Sequence, residues 1–125
     1  MAPTILLRNG EPFLAVGSPG GSTIITTVLQ ILLNRLDLGM NLPAAIAAPR
    51  ATQRNTAATL AEQAFLDQYG AALTAKGQSI QLFPGPPPSI GAATGLEFLR
   101  PGLVQAVAEP IRRHGGSALV VRPAR

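Results

Sequence analysis

Gly17-Ser18-Pro19-Gly20-Gly21-Ser22 is the stretch whose residue types best suit chemistry. A strand-like run, Phe13-Leu14-Ala15-Val16, feeds into it, and a long apolar run at helical spacing leaves it. A chain that turns through two glycines into a helix leaves several backbone N–H groups without intrahelical partners. The helix dipole adds partial positive charge at the same place. Such a turn can hold negative charge, either a bound anion or the oxyanion that forms when a nucleophile attacks a carbonyl. The letters exclude two phosphate motifs, since no Gly-Lys-Ser/Thr follows and the glycine spacing does not fit Gly-x-Gly-x-x-Gly. On these six residues alone, a tight turn with a purely structural role is the commoner reading.

Other candidates are few. Arg50, after Ala48-Pro49, is expected in a buried salt bridge, with a direct substrate contact as the lesser alternative, because arginine is rarely buried without a partner. His114, the only histidine, lies between arginines and glycines with no acid nearby to orient it, and is expected to be exposed and without a role. There is no cysteine, which removes disulfide and thiol chemistry. One histidine and no acidic cluster predict no metal site, and no motif calls for a cofactor.

The elements that must hold the glycine turn can be read in order. Thr4-Ile5-Leu6-Leu7 and Phe13 to Val16 form a predicted hairpin around Arg8-Asn9-Gly10-Glu11, because Asn-Gly tolerates the positive φ of a tight turn. Ser22 is the predicted N-cap and Gly39 the terminator of a mostly buried helix. Asn41 is expected to cap a short helix over Leu42 to Ala47, with Pro43 in its first turn. For Ala57 to Gln68, propensity favours one alanine-rich helix. Helix through Ala71, Leu73 and Ala75 then ends at Gly77, and Ser79 to Phe83 reads as a strand. Pro84-Gly85-Pro86-Pro87-Pro88 is a stiff extended connection. Thr94 to Leu99 and Leu103 to Ala108 form a second hairpin around Arg100-Pro101-Gly102.

At 125 residues the chain is one domain or part of one. Its hydrophobic content of 46% and mean hydropathy of +0.27 suggest apolar surface meant to be covered, so the isolated chain is expected to self-associate. The net charge of +4 comes from scattered arginines with only 4% aromatic residues, which does not suit nucleic-acid binding. The longest apolar stretch is interrupted by Thr, Gln and Asn, so no membrane span is expected.

Taken together, Met1-Ala2-Pro3-Thr4, Gly17 to Gln30, Asp37-Leu38-Gly39-Met40-Asn41-Leu42 and Ala48-Pro49-Arg50 closely resemble the C-terminal part of the small subunit of γ-glutamyltranspeptidases, which are N-terminal-nucleophile hydrolases. The match is specific over the first fifty residues and looser beyond. The resemblance implies an α/β fold, part of an αββα sandwich with an antiparallel sheet covered by helices. It places a strand before a helix beginning near Phe65, and this reading is preferred over the single helix. It also implies that Gly20 and Gly21 supply oxyanion-hole N–H groups, with Ser18, Pro19, Gly20 and Gly21 lining the substrate site. The implied substrate is a γ-glutamyl compound such as glutathione, and the implied partners are the rest of the small subunit and the large subunit.

The family's nucleophile, an N-terminal threonine, and its adjacent substrate-contacting serines come before the point where Met1 aligns. Thr4 is not where the family places a nucleophile. Members are often exported, although no signal sequence is visible here. After Arg50 the letters Ala51-Thr52-Gln53-Arg54-Asn55 depart from the family, and Glu109-Pro110-Ile111-Arg112-Arg113 resembles its Asp-Pro-Arg ending with one residue extra. Three readings stay open: a piece of a γ-glutamyltransferase, a degenerate relative serving as a binding or structural module, or an unrelated domain whose glycine turn binds phosphate.

Overall fold

The computed structural model describes residues 3–85, 89–119 and 121. Strands β1 (Thr4–Arg8) and β2 (Glu11–Gly17) form the expected hairpin, turning through Asn9 at φ 54° and Gly10 at φ 85°. Strands β6 (Thr94–Arg100) and β7 (Leu103–Ala108) form the second, so that an antiparallel sheet runs β1-β2-β6-β7. Helices α1 (Ile24–Leu36) and α2 (Leu42–Ala47) cover one face. Leu14 and Val16, two residues apart and so on the same side of β2, join Val28, Ile31, Leu42, Ala45 and Ile46 in the core between sheet and helices.

The opposite face is open. A row of paired residues, Ile5, Ala15, Leu96 and Ala106, crosses all four strands there, with Ile5 69% and Leu96 43% exposed. A helix layer on one side and a bare apolar face on the other make half of a layered sandwich.

The middle of the chain builds a second sheet, β3 (Ala51–Thr52), β4 (Thr59–Ala61) and β5 (Ile80–Leu82). This second sheet is mixed: β3 and β4 are antiparallel, and β4 and β5 are parallel. A helical crossover separates β4 from β5, and such a connection returns the chain in the same direction. It comprises α3 (Gln63–Phe65), a wider π-helical turn over Leu66–Gly70, and α4 (Ala71–Ala75). Propensity alone mistakes 59–61 for helix, because it cannot see that β4 is hydrogen-bonded on both edges. The helix stops at Gly77, φ 82°, where Gly77 N donates to Thr74 O and Gln78 N to Leu73 O.

Asn41 caps α2 as expected, its Oδ1 accepting from Ala44 N at 2.9 Å. Ser22 does not cap α1. It lies in a 3-10 turn, Gly21–Thr23, that precedes the helix, and its hydroxyl is engaged elsewhere. Pro86 to Pro88 of the proline connection lie outside the described residues. Among the described residues, no helix is long and apolar enough to cross a membrane.

Candidate functional site

β2 ends at Gly17, and the chain then bends so that Gly20 takes φ 147° and Gly21 φ 57° before helix begins. Both values lie where side chains are strained and glycine is free. Gly20 O accepts from Thr23 N at 3.1 Å and from Thr23 Oγ1 at 2.9 Å. The N–H groups of Gly20 and Gly21 donate no hydrogen bond among the described residues. The 3-10 turn has no acidic residue and no side-chain cap, so nothing neutralises these donors locally. Gly21 and Ser22 are exposed, and a Cβ on Gly21 would meet nothing within 4 Å.

Beneath the turn the packing is tight. Ser18 is fully buried; its Oγ donates to Pro19 O at 2.7 Å and accepts from Ala92 N at 3.1 Å. The loop carrying Ala92 also carries Gly91, at φ 72°, whose Cα would sit 3.5 Å from a Cβ on Gly20. A Cβ on Gly91 would itself lie 2.7 Å from Ser18 Oγ and 2.9 Å from Thr27 Oγ1. The structure therefore brings Ser18, Pro19, Gly20 and Gly21 together in one turn, but gives Ser18 no surface from which to touch a substrate. Gly91→Ala is expected to cost about 2 to 4 kcal/mol, from overpacking and from left-handed backbone strain. A denaturant melt that moves by less than about 0.5 kcal/mol, the scatter of ordinary surface changes, would show that the loop does not press on the turn.

That loop is held by a buried cluster of two arginines and two glutamates. Arg50 is 1% exposed and meets Glu109 at 2.9 Å, which fulfils the expected buried salt bridge. Arg112, also 1% exposed, meets Glu62 at 2.6 Å and Glu109 at 3.0 Å. The cluster grips both ends of the loop. Ile90 N donates to Glu62 at 3.2 Å, Ile90 O accepts from Arg50 at 2.8 Å, and Ala93 N donates to Glu109 at 3.3 Å. Burial lowers the pKa of Arg50, and the neighbouring Arg112 lowers it further, against the pull of Glu109. Burial acts on Arg112 too, but its bonds to Glu62 and Glu109 together outweigh it and raise the pKa. The charges sum to zero, which is how four ionised groups can be kept from water together.

A second cation reaches the turn from outside: Arg54, in the loop between β3 and β4, donates to Ser22 Oγ at 2.7 Å. Sequence reasoning missed Gly91, Arg54 and the partners of Arg50. The available signals were an isolated glycine after a proline run and an acid, Glu109, at the end of an apolar strand. His114 is exposed, as expected. Among the described residues, no group of three or more His, Cys, Asp or Glu is placed to hold a metal ion.

The fold that carries this turn is shared with known proteins. The family model described as gamma-glutamyltranspeptidase matches residues 1–120. The glutathione hydrolase proenzyme of Escherichia coli K12 is 43% identical over 83 residues, 66% of this chain and 14% of that protein. The glutathione hydrolase proenzyme of Bacillus subtilis 168 is 54% identical over 50 residues, 40% of this chain and 8% of that protein. The matched part is thus a small fraction of the relatives' length. Among solved structures, a highly active mutant of the gamma-glutamyltranspeptidase from Pseudomonas nitroreducens superposes with a TM-score of 0.81 at 26% identity, covering 98% of this chain and 62% of that one. The cephalosporin acylase from Bacillus halodurans superposes at 0.79 with 27% identity, covering 93% of this chain and 22% of that one. The α/β sandwich half seen here is accordingly that of N-terminal-nucleophile hydrolases, and the chain belongs to the γ-glutamyltranspeptidase family.

Proposed function

We propose that this chain supplies the oxyanion-binding turn of an enzyme that transfers γ-glutamyl groups from glutathione-like compounds to water or to an amine. The observation that carries the reading is the pair of unengaged N–H groups at Gly20 and Gly21, on an open turn that family membership aligns with acyl transfer. In the reaction a threonine hydroxyl, provided by the remainder of the enzyme and deprotonated by its own α-amine, attacks the γ-carbonyl. The C–O bond forms, and the carbonyl electron pair moves onto oxygen. The resulting oxyanion accepts from the two glycine amides. When the tetrahedral centre collapses, the C–N bond breaks and the amine leaves with the proton from the base. Water or an acceptor amine then repeats the sequence on the acyl-enzyme. Ser18 and Pro19 serve by fixing the turn, Ser18 through its bond to Ala92.

The test is aniline release from a γ-glutamyl anilide. The 125-residue chain alone is expected to be inactive, and the chain joined with the nucleophile-bearing and large-subunit segments of a relative is expected to be active. Turnover by the isolated chain that is lost in Thr4→Ala would overturn the assignment of roles.

A further inference from the structure

We propose that Arg54 is a receptor for a carboxylate of the substrate, placed beside the Gly20-Gly21 turn; this rests on the acyl-transfer reading above. Arg35, Arg50 and Arg112, the arginines bonded into the body of the fold, each pair with glutamate. Arg54 has no carboxylate within 4.0 Å among the described residues, and its bond to the fold is to a neutral hydroxyl, Ser22 Oγ. A guanidinium has five N–H donors in a planar fork suited to a carboxylate, so one bond to Ser22 leaves most of that fork to a ligand.

The position is braced. Gln53 Oε1 accepts from Thr56 N at 2.9 Å, and Thr56 Oγ1 donates to Ala58 O at 2.9 Å, which closes the loop on itself around Asn55 at φ 59°. The loop's base is tied to α1 through Thr26 and Thr52, whose hydroxyls lie 2.6 Å apart, and through Gln30, which accepts from Ala51 N at 3.1 Å. Ser22 directly follows Gly21, and adjacent Cα atoms are about 3.8 Å apart. The space above Gly21 is open. A substrate whose reacting carbonyl sits on the glycine amides therefore brings a carboxylate a few bonds away within reach of Arg54. That carboxylate comes either from the γ-glutamyl group itself or from the departing peptide.

The experiment compares Arg54→Gln with the unsubstituted chain, each assembled with the nucleophile-bearing remainder. Three substrates are used: a γ-glutamyl anilide, glutathione, and a 4-aminobutyryl anilide, which has no carboxylate. Loss of a charge-assisted bond should raise KM about 10- to 100-fold, with kcat little changed and recovery in Arg54→Lys. A rise for glutathione alone assigns the carboxylate to the departing peptide; a rise for glutathione and the γ-glutamyl anilide assigns it to the donor. Equal change on all three substrates, or no change on any, overturns the proposal. An unsubstituted enzyme that turns over none of them overturns the acyl-transfer reading, and the role of Arg54 with it.

Discussion

Gly21→Val is expected to lower kcat about 10²- to 10³-fold in the assembled enzyme, the usual cost of losing one oxyanion donor, while KM moves much less. The asymmetry follows from timing, because negative charge on the carbonyl oxygen exists mainly in the transition state. Gly21 sits at φ 57°, where a β-branched residue is strained, and relief of that strain moves the amide away from where charge develops. Unfolding is not the expected route to the loss. A Cβ at Gly21 meets no atom within 4 Å, so the structural cost is confined to backbone strain of about 1 to 3 kcal/mol. Gly20 is the poorer test, since its Cβ would lie 2.6 Å from Thr23 Oγ1 and confuse packing with catalysis. A melting curve recorded beside the kinetics decides the matter: a folded Gly21→Val enzyme with near-normal kcat removes the oxyanion role.

The largest effect on stability is expected at Arg112. Arg112→Met leaves Glu62 and Glu109 buried with fewer partners, and breaking a buried pair from one side costs about 3 to 5 kcal/mol. Adding Glu62→Gln removes one of the stranded charges and keeps one carbonyl oxygen, which can accept from the amide of Arg50 or of Ile90 but not from both, because each now donates to a different Glu62 oxygen. The double variant should therefore be more stable than the sum of the two single changes predicts, with a coupling of about 0.5 to 3 kcal/mol. Urea or thermal melts of the four proteins in the cycle measure this directly. Strict additivity would show that the cluster does not act as a unit.

What could be read from the letters was local. Asn9-Gly10, Asn41 and Gly77 declare themselves because a turn, a cap or a stop depends on one residue's own backbone or side chain. Gly20-Gly21 belongs with them, legible as a turn and, through family likeness, as a candidate site. Ser22 was misread because its hydroxyl faced two possible partners, the helix amides three residues ahead and an arginine thirty-two residues away, and only the first is visible locally. Arg50 was legible as buried and paired, yet no periodicity points from it to Glu109, fifty-nine residues on. The clasp of Gly91 on Ser18 and Thr27 is of the same kind, a contact between segments that sequence spacing does not relate. The strand at Thr59–Ala61 was recovered only by resemblance, because its pairing with β3 and β5 outweighs an alanine-rich preference for helix.

The reach of the Arg50-Glu62-Glu109-Arg112 cluster also sets an order of events for the chain as it folds. Its pairs close loops of 50 and 59 residues, contacts whose closing entropy must be met before they return any stabilisation. The hairpin of β1 and β2 and the start of α1 need only neighbouring residues and can form early. The Ala93 end of loop 90–93 is secured only when the segment carrying Glu109 docks, so the support beneath the glycine turn is completed last. The geometry around the glycine turn is in that sense a late product of folding, and conditions that slow docking of the C-terminal segment should yield chains with native helix content before they yield a finished turn.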